Sequence, residues 1–222
     1  MNKFRLAILV IVLGFGLAGG AVGYLLYSDP VPEKIDPITM YPPSGPFALT
    51  DHTGQAVTDR DYRGKLMLIA FGYTYCPDVC PTGLQAMSTT MDLLGEQAEW
   101  VRPIFITIDP ARDTPEALKE YVAAFHPKLI GLTGTPEQVA KAAEGYRVYY
   151  NKIPPPKDEA GDKDEDEDEE YAMGHTTSIY LVGVEGRGLA VFNFGMAATK
   201  VDAMTDRIRH FVNIQEALAR AK

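Results

Sequence analysis

Residues 65–84 read KLMLIAFGYTYCPDVCPTGL. The first ten are almost all apolar, which marks a strand covered on both faces rather than one with a wet side. Cys76 and Cys80, the only cysteines of the 222-residue chain, come where that run ends. From Val79 to about Gln97, the residues Leu84, Met87, Met91 and Leu94 recur at three- and four-residue spacing, the pattern of a helix with one apolar stripe. A buried strand, a turn with two cysteines and a helix, in that order, belong to an α/β domain.

The flanking segments agree. FALTDHTGQAVTD (47–59) alternates around a Thr53-Gly54 turn and predicts a hairpin. VRPIFITID (101–109) is a second buried strand. DTPEALKEYVAAF (113–125) starts with Asp or Thr as cap, an early proline and a first-turn Glu, so a helix begins there. LIGLTG (129–134) is a short strand and TPEQVAKAAEGY (135–146) another capped helix, leading into RVYYNKI (147–153). TTSIYLVGVEGRGLAVFNF (176–194) predicts two strands joined by a Gly-rich turn, and residues 199–221 a surface helix. The alternation predicts helices packed around a mixed central sheet.

Ahead of this domain, residues 6–26 carry no charge and follow Lys3 and Arg5, which is about the length and flank of an uncleaved transmembrane anchor. A cleaved signal peptide would have an apolar stretch of only about 7–15 residues. The basic flank leaves residues 1–5 in the cytoplasm and the rest outside, which for a bacterium is the periplasmic face of the inner membrane. Residues 27–45 are a Pro-rich linker, and the folded domain is expected over 46–222.

The net charge of −9 is concentrated in KDEAGDKDEDEDEE (157–170), whose ten acids and two lysines predict a solvated, disordered loop. No basic patch with interleaved aromatics occurs, which argues against a nucleic-acid partner.

An oxidising compartment makes the cysteine pair chemically telling. At a helix start, a spacing of four places both sulfurs on one face, and the free N–H groups there favour a thiolate. Three readings follow: a disulfide, a redox-active pair, or two ligands of a soft ion such as Cu(I), with zinc as a lesser candidate. Of the four histidines, His52, His126 and His210 sit in turn, helix-end and surface contexts. His175, immediately before the strand segment that opens at Thr176, is placed to face the end of the cysteine strand from the edge of the sheet. Met173 is a candidate thioether ligand beside it.

FGYTYCPDVCPTGL (71–84), ITIDPARDTPEALKEYVAAFHP (106–127), GLTGTPEQVAKAAEGYRVYYNK (131–152) and GHTTSIYLV (174–182) together resemble the Sco (SenC) family, over about residues 47–211. These are membrane-anchored copper proteins that help assemble cytochrome c oxidase. The resemblance implies a thioredoxin-like fold with an extra hairpin and a site for Cu(I) and Cu(II) made by Cys76, Cys80 and His175. It implies delivery of copper to the binuclear copper centre of oxidase subunit II. The alternative is thiol–disulfide reduction of that centre's cysteines by Cys76 and Cys80, or a periplasmic role in redox or peroxide defence. Other copper chaperones and a thioredoxin-like reductant are the further partners implied. The sequence departs from the family in two places. Gly174 stands where the family has Asp, which would shift any charge role to Asp109 or the acidic run. The acidic run itself is longer than expected, so that the segment bearing His175 would be ordered by metal.

Overall fold

The computed structural model describes residues 42–154, 171–193 and 201–221. The predicted anchor at 6–26, most of the linker and the acidic run at 157–170 lie outside them. Among the described residues, no helix is long and apolar enough to cross a membrane.

The run 65–74 becomes strand β3 (Leu66–Gly72), every residue of which is buried. Its period-two alternation divides it between two cores. Met67, Ile69 and Phe71 enter one, and Leu66, Leu68 and Ala70 enter the other. The neighbouring strands β4 (Val101–Thr107) and β8 (Ser178–Val182) are split in the same way. Strands β1 (Ala48–Asp51), β2 (Ala56–Thr58), β5 (Ile130–Thr133) and β9 (Gly188–Asn193) complete a seven-stranded sheet of order β2-β1-β5-β4-β3-β8-β9. The central strands β3, β4 and β5 are parallel, and the two edges are closed by antiparallel hairpins.

On one face lie α1 (Val79–Leu94), α2 (Pro115–Ala123) and α4 (Val201–Arg220), which contribute Leu84, Met87 and Met91, Leu118 and Val122, and Met204, Ile208 and Val212. The methionines of α1 are thus core. On the other face α3 (Pro136–Gly145) inserts Val139, Ala142 and Ala143. Thr114 and Thr135 cap α2 and α3, the latter in a capping box with Gln138, and a proline opens each helix.

Two segments that carried no strand prediction pair with each other. β6 (Tyr150–Ile153) and β7 (Ala172–His175) form a separate two-stranded ribbon, with Tyr150 opposite His175. His175 is therefore the last residue of a ribbon strand and not an edge position of the main sheet, as the sequence suggested. Its approach to the cysteine turn comes from the ribbon.

Candidate metal centre

β3 ends at Gly72 because the next residues turn over its carboxyl end: Cys76 N–H donates to the Tyr73 carbonyl (3.2 Å). α1 then starts at Val79 without a side-chain cap from Asp78. The sulfur of Cys76 takes that place, accepting from the Cys80 N–H at 3.3 Å. A helix terminus with unpaired N–H groups favours an anionic acceptor, so the local fold itself draws a thiolate to this position.

The two cysteines are free thiols in this structure, 7% and 2% exposed, and the disulfide reading of the sequence is not the state described. The hydrogen bond from Cys80 lowers the pKa of Cys76 most, against the opposing effect of burial. His175 and the backbone N–H groups of Cys80 and Asp78 add to the lowering, bringing it down to about 4. The same sulfur–sulfur contact and burial push Cys80 up. The pair thus favours negative charge on Cys76, where the Cys80 N–H and the start of α1 support it.

His175 closes the group. Its Nδ1 lies 2.9 Å from the Thr176 carbonyl, which can only accept, so Nδ1 carries a proton. Nε2 is then the ring nitrogen that faces Cys80 Sγ, 3.4 Å away. Tyr73 stands edge-on to the imidazole, with centroids 6.1 Å apart, and its hydroxyl is hydrogen-bonded to the Met173 backbone. The two sulfurs and one His nitrogen all lie within 4.8 Å of one another. Two soft donors and an imidazole this close fit a soft cation, which would take the place of the proton shared by the sulfurs.

A cleft of about 220 Å³ opens on this group, lined among others by Tyr73, Cys76, Asp78, Met173 and His175. Met173 thus reaches the wall where a thioether ligand would stand. The other histidines serve the backbone or a surface. His52 Nδ1 accepts from Gly131 N–H, His126 Nδ1 accepts from Lys128 N–H, and the His210 ring lies against Phe211.

Two expectations about neighbouring charge change. A Cβ added at Gly174 would meet the side-chain ends of Asn151 and Ile153, because alternation along β7 turns that position away from His175. An Asp there would point away from the imidazole. Asp109 does not stand in for it either: its carboxylate accepts from Arg112 (2.6 Å) and from the Tyr171 hydroxyl (2.6 Å). The carboxylate tied to the cysteine turn is Asp113, 0% exposed, which accepts from Thr74 N–H (3.0 Å) and Oγ1 (2.6 Å) and from Thr107 Oγ1 (2.6 Å). Sequence reasoning passed over Asp113 as a cap residue. A single acid inside a helix-start motif carries no sign of being buried.

A thioredoxin-like α/β domain with two cysteines at a helix start and a histidine brought from a separate ribbon defines the class. The chain belongs to the SCO1/SenC family, whose model matches residues 36–213. It is 49% identical over 150 residues to the mitochondrial SCO1 homolog of Homo sapiens, covering 67% of this chain and 46% of that protein. It is 38% identical over 190 residues to a SCO2-like protein of Rickettsia conorii, covering 83% of this chain and 88% of that one. The chain thus spans about half the length of the human relative. Among solved structures, ScoI of Bradyrhizobium japonicum with copper bound superposes with a TM-score of 0.62 at 44% identity, over 74% of this chain and 98% of that one. Yeast Sco1 with copper bound gives 0.62 at 35% identity, over 82% and 94%.

Proposed function

We propose that the protein is a copper chaperone that holds Cu(I) and Cu(II) through Cys76, Cys80 and His175 and hands copper to the binuclear copper centre of cytochrome c oxidase subunit II. The observation that carries this reading is the convergence of two sulfurs from the cysteine turn and one imidazole nitrogen from the ribbon within 4.8 Å of one another. Two relatives solved with copper bound support it.

Copper is the cargo, and the chain's own residues decide how it leaves. Cys76 and His175 line the cleft, whereas Cys80 is 2% exposed and not among the lining residues. An incoming partner thiolate meets the ion from the Cys76 and His175 side, so Cys80 releases it last. The uncharged stretch at 6–26 anchors the domain in the bacterial inner membrane with the site on the periplasmic side, where copper passes in from other copper chaperones.

A second reading has its own support. Cys76 lines the cleft with its thiol pKa pulled down, and Cys80 stands behind it as a resolving thiol, an arrangement suited to reducing the copper-site cysteines of subunit II before metal arrives. A thioredoxin-like reductant would then regenerate the pair.

The test is genetic. In a strain lacking the protein, the Cys76→Ser, Cys80→Ser chain is expected to leave subunit II without its binuclear copper and oxidase activity at the level of the deletion. Wild-type oxidase activity with that variant would overturn both readings. The His175→Ala chain separates them, since reduction needs only the sulfurs.

A further inference from the structure

Residues 108–114, between β4 and α2, supply none of the three ligands, yet they hold both segments that do. Asp113 grips the cysteine turn through Thr74, two residues before Cys76. Asp109 and Arg112 grip Tyr171, four residues before His175. The Tyr171 hydroxyl donates to Asp109 Oδ1 (2.6 Å), Arg112 donates from Nη1 to the Tyr171 carbonyl (2.9 Å), and the guanidinium lies 3.6 Å from the ring centroid. Arg112 Nε in turn pairs with Asp109 Oδ2 at 2.6 Å. Lys152 of β6 places its ammonium 4.0 Å from the centroid of the same ring.

This matters because, among the described residues, the ribbon bearing His175 pairs only with itself. A strand inside the main sheet would have its position set by ladder hydrogen bonds on both sides, whereas β7 has β6 as its one strand partner among the described residues. Its placement against the cysteine turn therefore depends on side-chain anchors, and Tyr171 is the one at its start. The site end is tied back within the same unit, by Thr176 N–H to the Tyr149 carbonyl and Tyr149 N–H to Thr176 Oγ1. An ion pair whose carboxylate side is 2% exposed is a poor device for stability alone, since desolvating both charges offsets most of their attraction. What it provides is direction: three contacts of different geometry converge on one residue.

We infer that Asp109 and Arg112 are positioning residues that dock Tyr171 and so hold His175 against the two cysteine sulfurs, with Asp113 setting the cysteine turn through Thr74 from the same loop. This rests on the reading of Cys76, Cys80 and His175 as the copper site. The loop thus acts as a template for a site to which it gives no donor atom.

The test uses the reduced full-length chain in detergent, with Tyr171→Phe, which removes one hydroxyl, and Arg112→Met, which removes the carbonyl clamp at similar length. Both are expected to weaken copper binding by roughly 10–100-fold, the usual effect of losing a group that orients a ligand. The imidazole nitrogen coupling in the Cu(II) electron paramagnetic resonance spectrum should diminish as well. In the metal-free protein, amide hydrogen exchange should quicken across β7 while β3 and β4 keep their wild-type protection. Wild-type affinity, nitrogen coupling and β7 protection in both variants would overturn the inference. So would an equal rise of exchange in β3, β4 and β7, which is the mark of a general structural role. If wild-type protein bound no copper while β7 still loosened in the variants, the positioning role would stand and the copper reading would fall.

Discussion

His175→Ala is expected to abolish tight copper binding while leaving thiol–disulfide exchange at Cys76 and Cys80 intact. The imidazole is the only nitrogen among the three converging donors, and the Thr176 carbonyl fixes its Nδ1–H so that Nε2 faces the sulfurs. Losing a ligand outright should exceed the roughly 10–100-fold cost of losing a group that merely orients one. The exchange chemistry depends on the Cys76 thiolate, which the Cys80 thiol and the start of α1 still support. Competition titration for copper and reaction of the reduced pair with a small disulfide would be measured on the same preparation. Unchanged copper stoichiometry and spectrum in His175→Ala would remove the three-ligand site.

Gly72→Ala is expected to damage fold and site together. A methyl group there would lie 2.6 Å from Cys80 Sγ and 2.9 Å from Phe105 Cε2. Neither neighbour yields easily. Cys80 is fixed in the first turn of α1, and Phe105 is 1% exposed and packed against Tyr121. Overpacking of this kind costs about 1–3 kcal/mol. If about 1.4 kcal/mol of that falls on the metal-bound form, copper affinity drops roughly tenfold. Urea denaturation of the apo protein and copper competition read the two effects separately. A variant with wild-type stability and affinity would show that the cysteine turn tolerates movement that the packing says it does not.

The main sheet was legible in the sequence because its central strands are buried on two faces and the helices at 115 and 136 start with caps and prolines. β3 and β4 read as apolar runs, and Thr114 and Thr135 announced α2 and α3. The ribbon was not legible. Residues 151–154 of RVYYNKIP are exposed, so no apolar alternation marks β6, and its partner β7 lies beyond the acidic run. The cysteine pair was legible from its place between strand and helix, whereas His175 was singled out as a ligand by the resemblance to the Sco family, and the ribbon that carries it was not foreseen. The loop that holds them was not, because Asp109, Arg112 and Asp113 look like ordinary polar residues of a turn, and only the fold buries the two carboxylates and turns Arg112 onto Tyr171. The side-chain direction at Gly174 depended likewise on the register of β7.

The most direct measurement is anaerobic titration of the reduced full-length chain with Cu(I) and then with Cu(II). One tightly bound copper per chain is expected, with a thiolate-to-Cu(II) charge-transfer band and nitrogen coupling from a single imidazole. Absence of saturation at one equivalent, or saturation with neither the charge-transfer band nor nitrogen coupling, would contradict a copper site built from Cys76, Cys80 and His175.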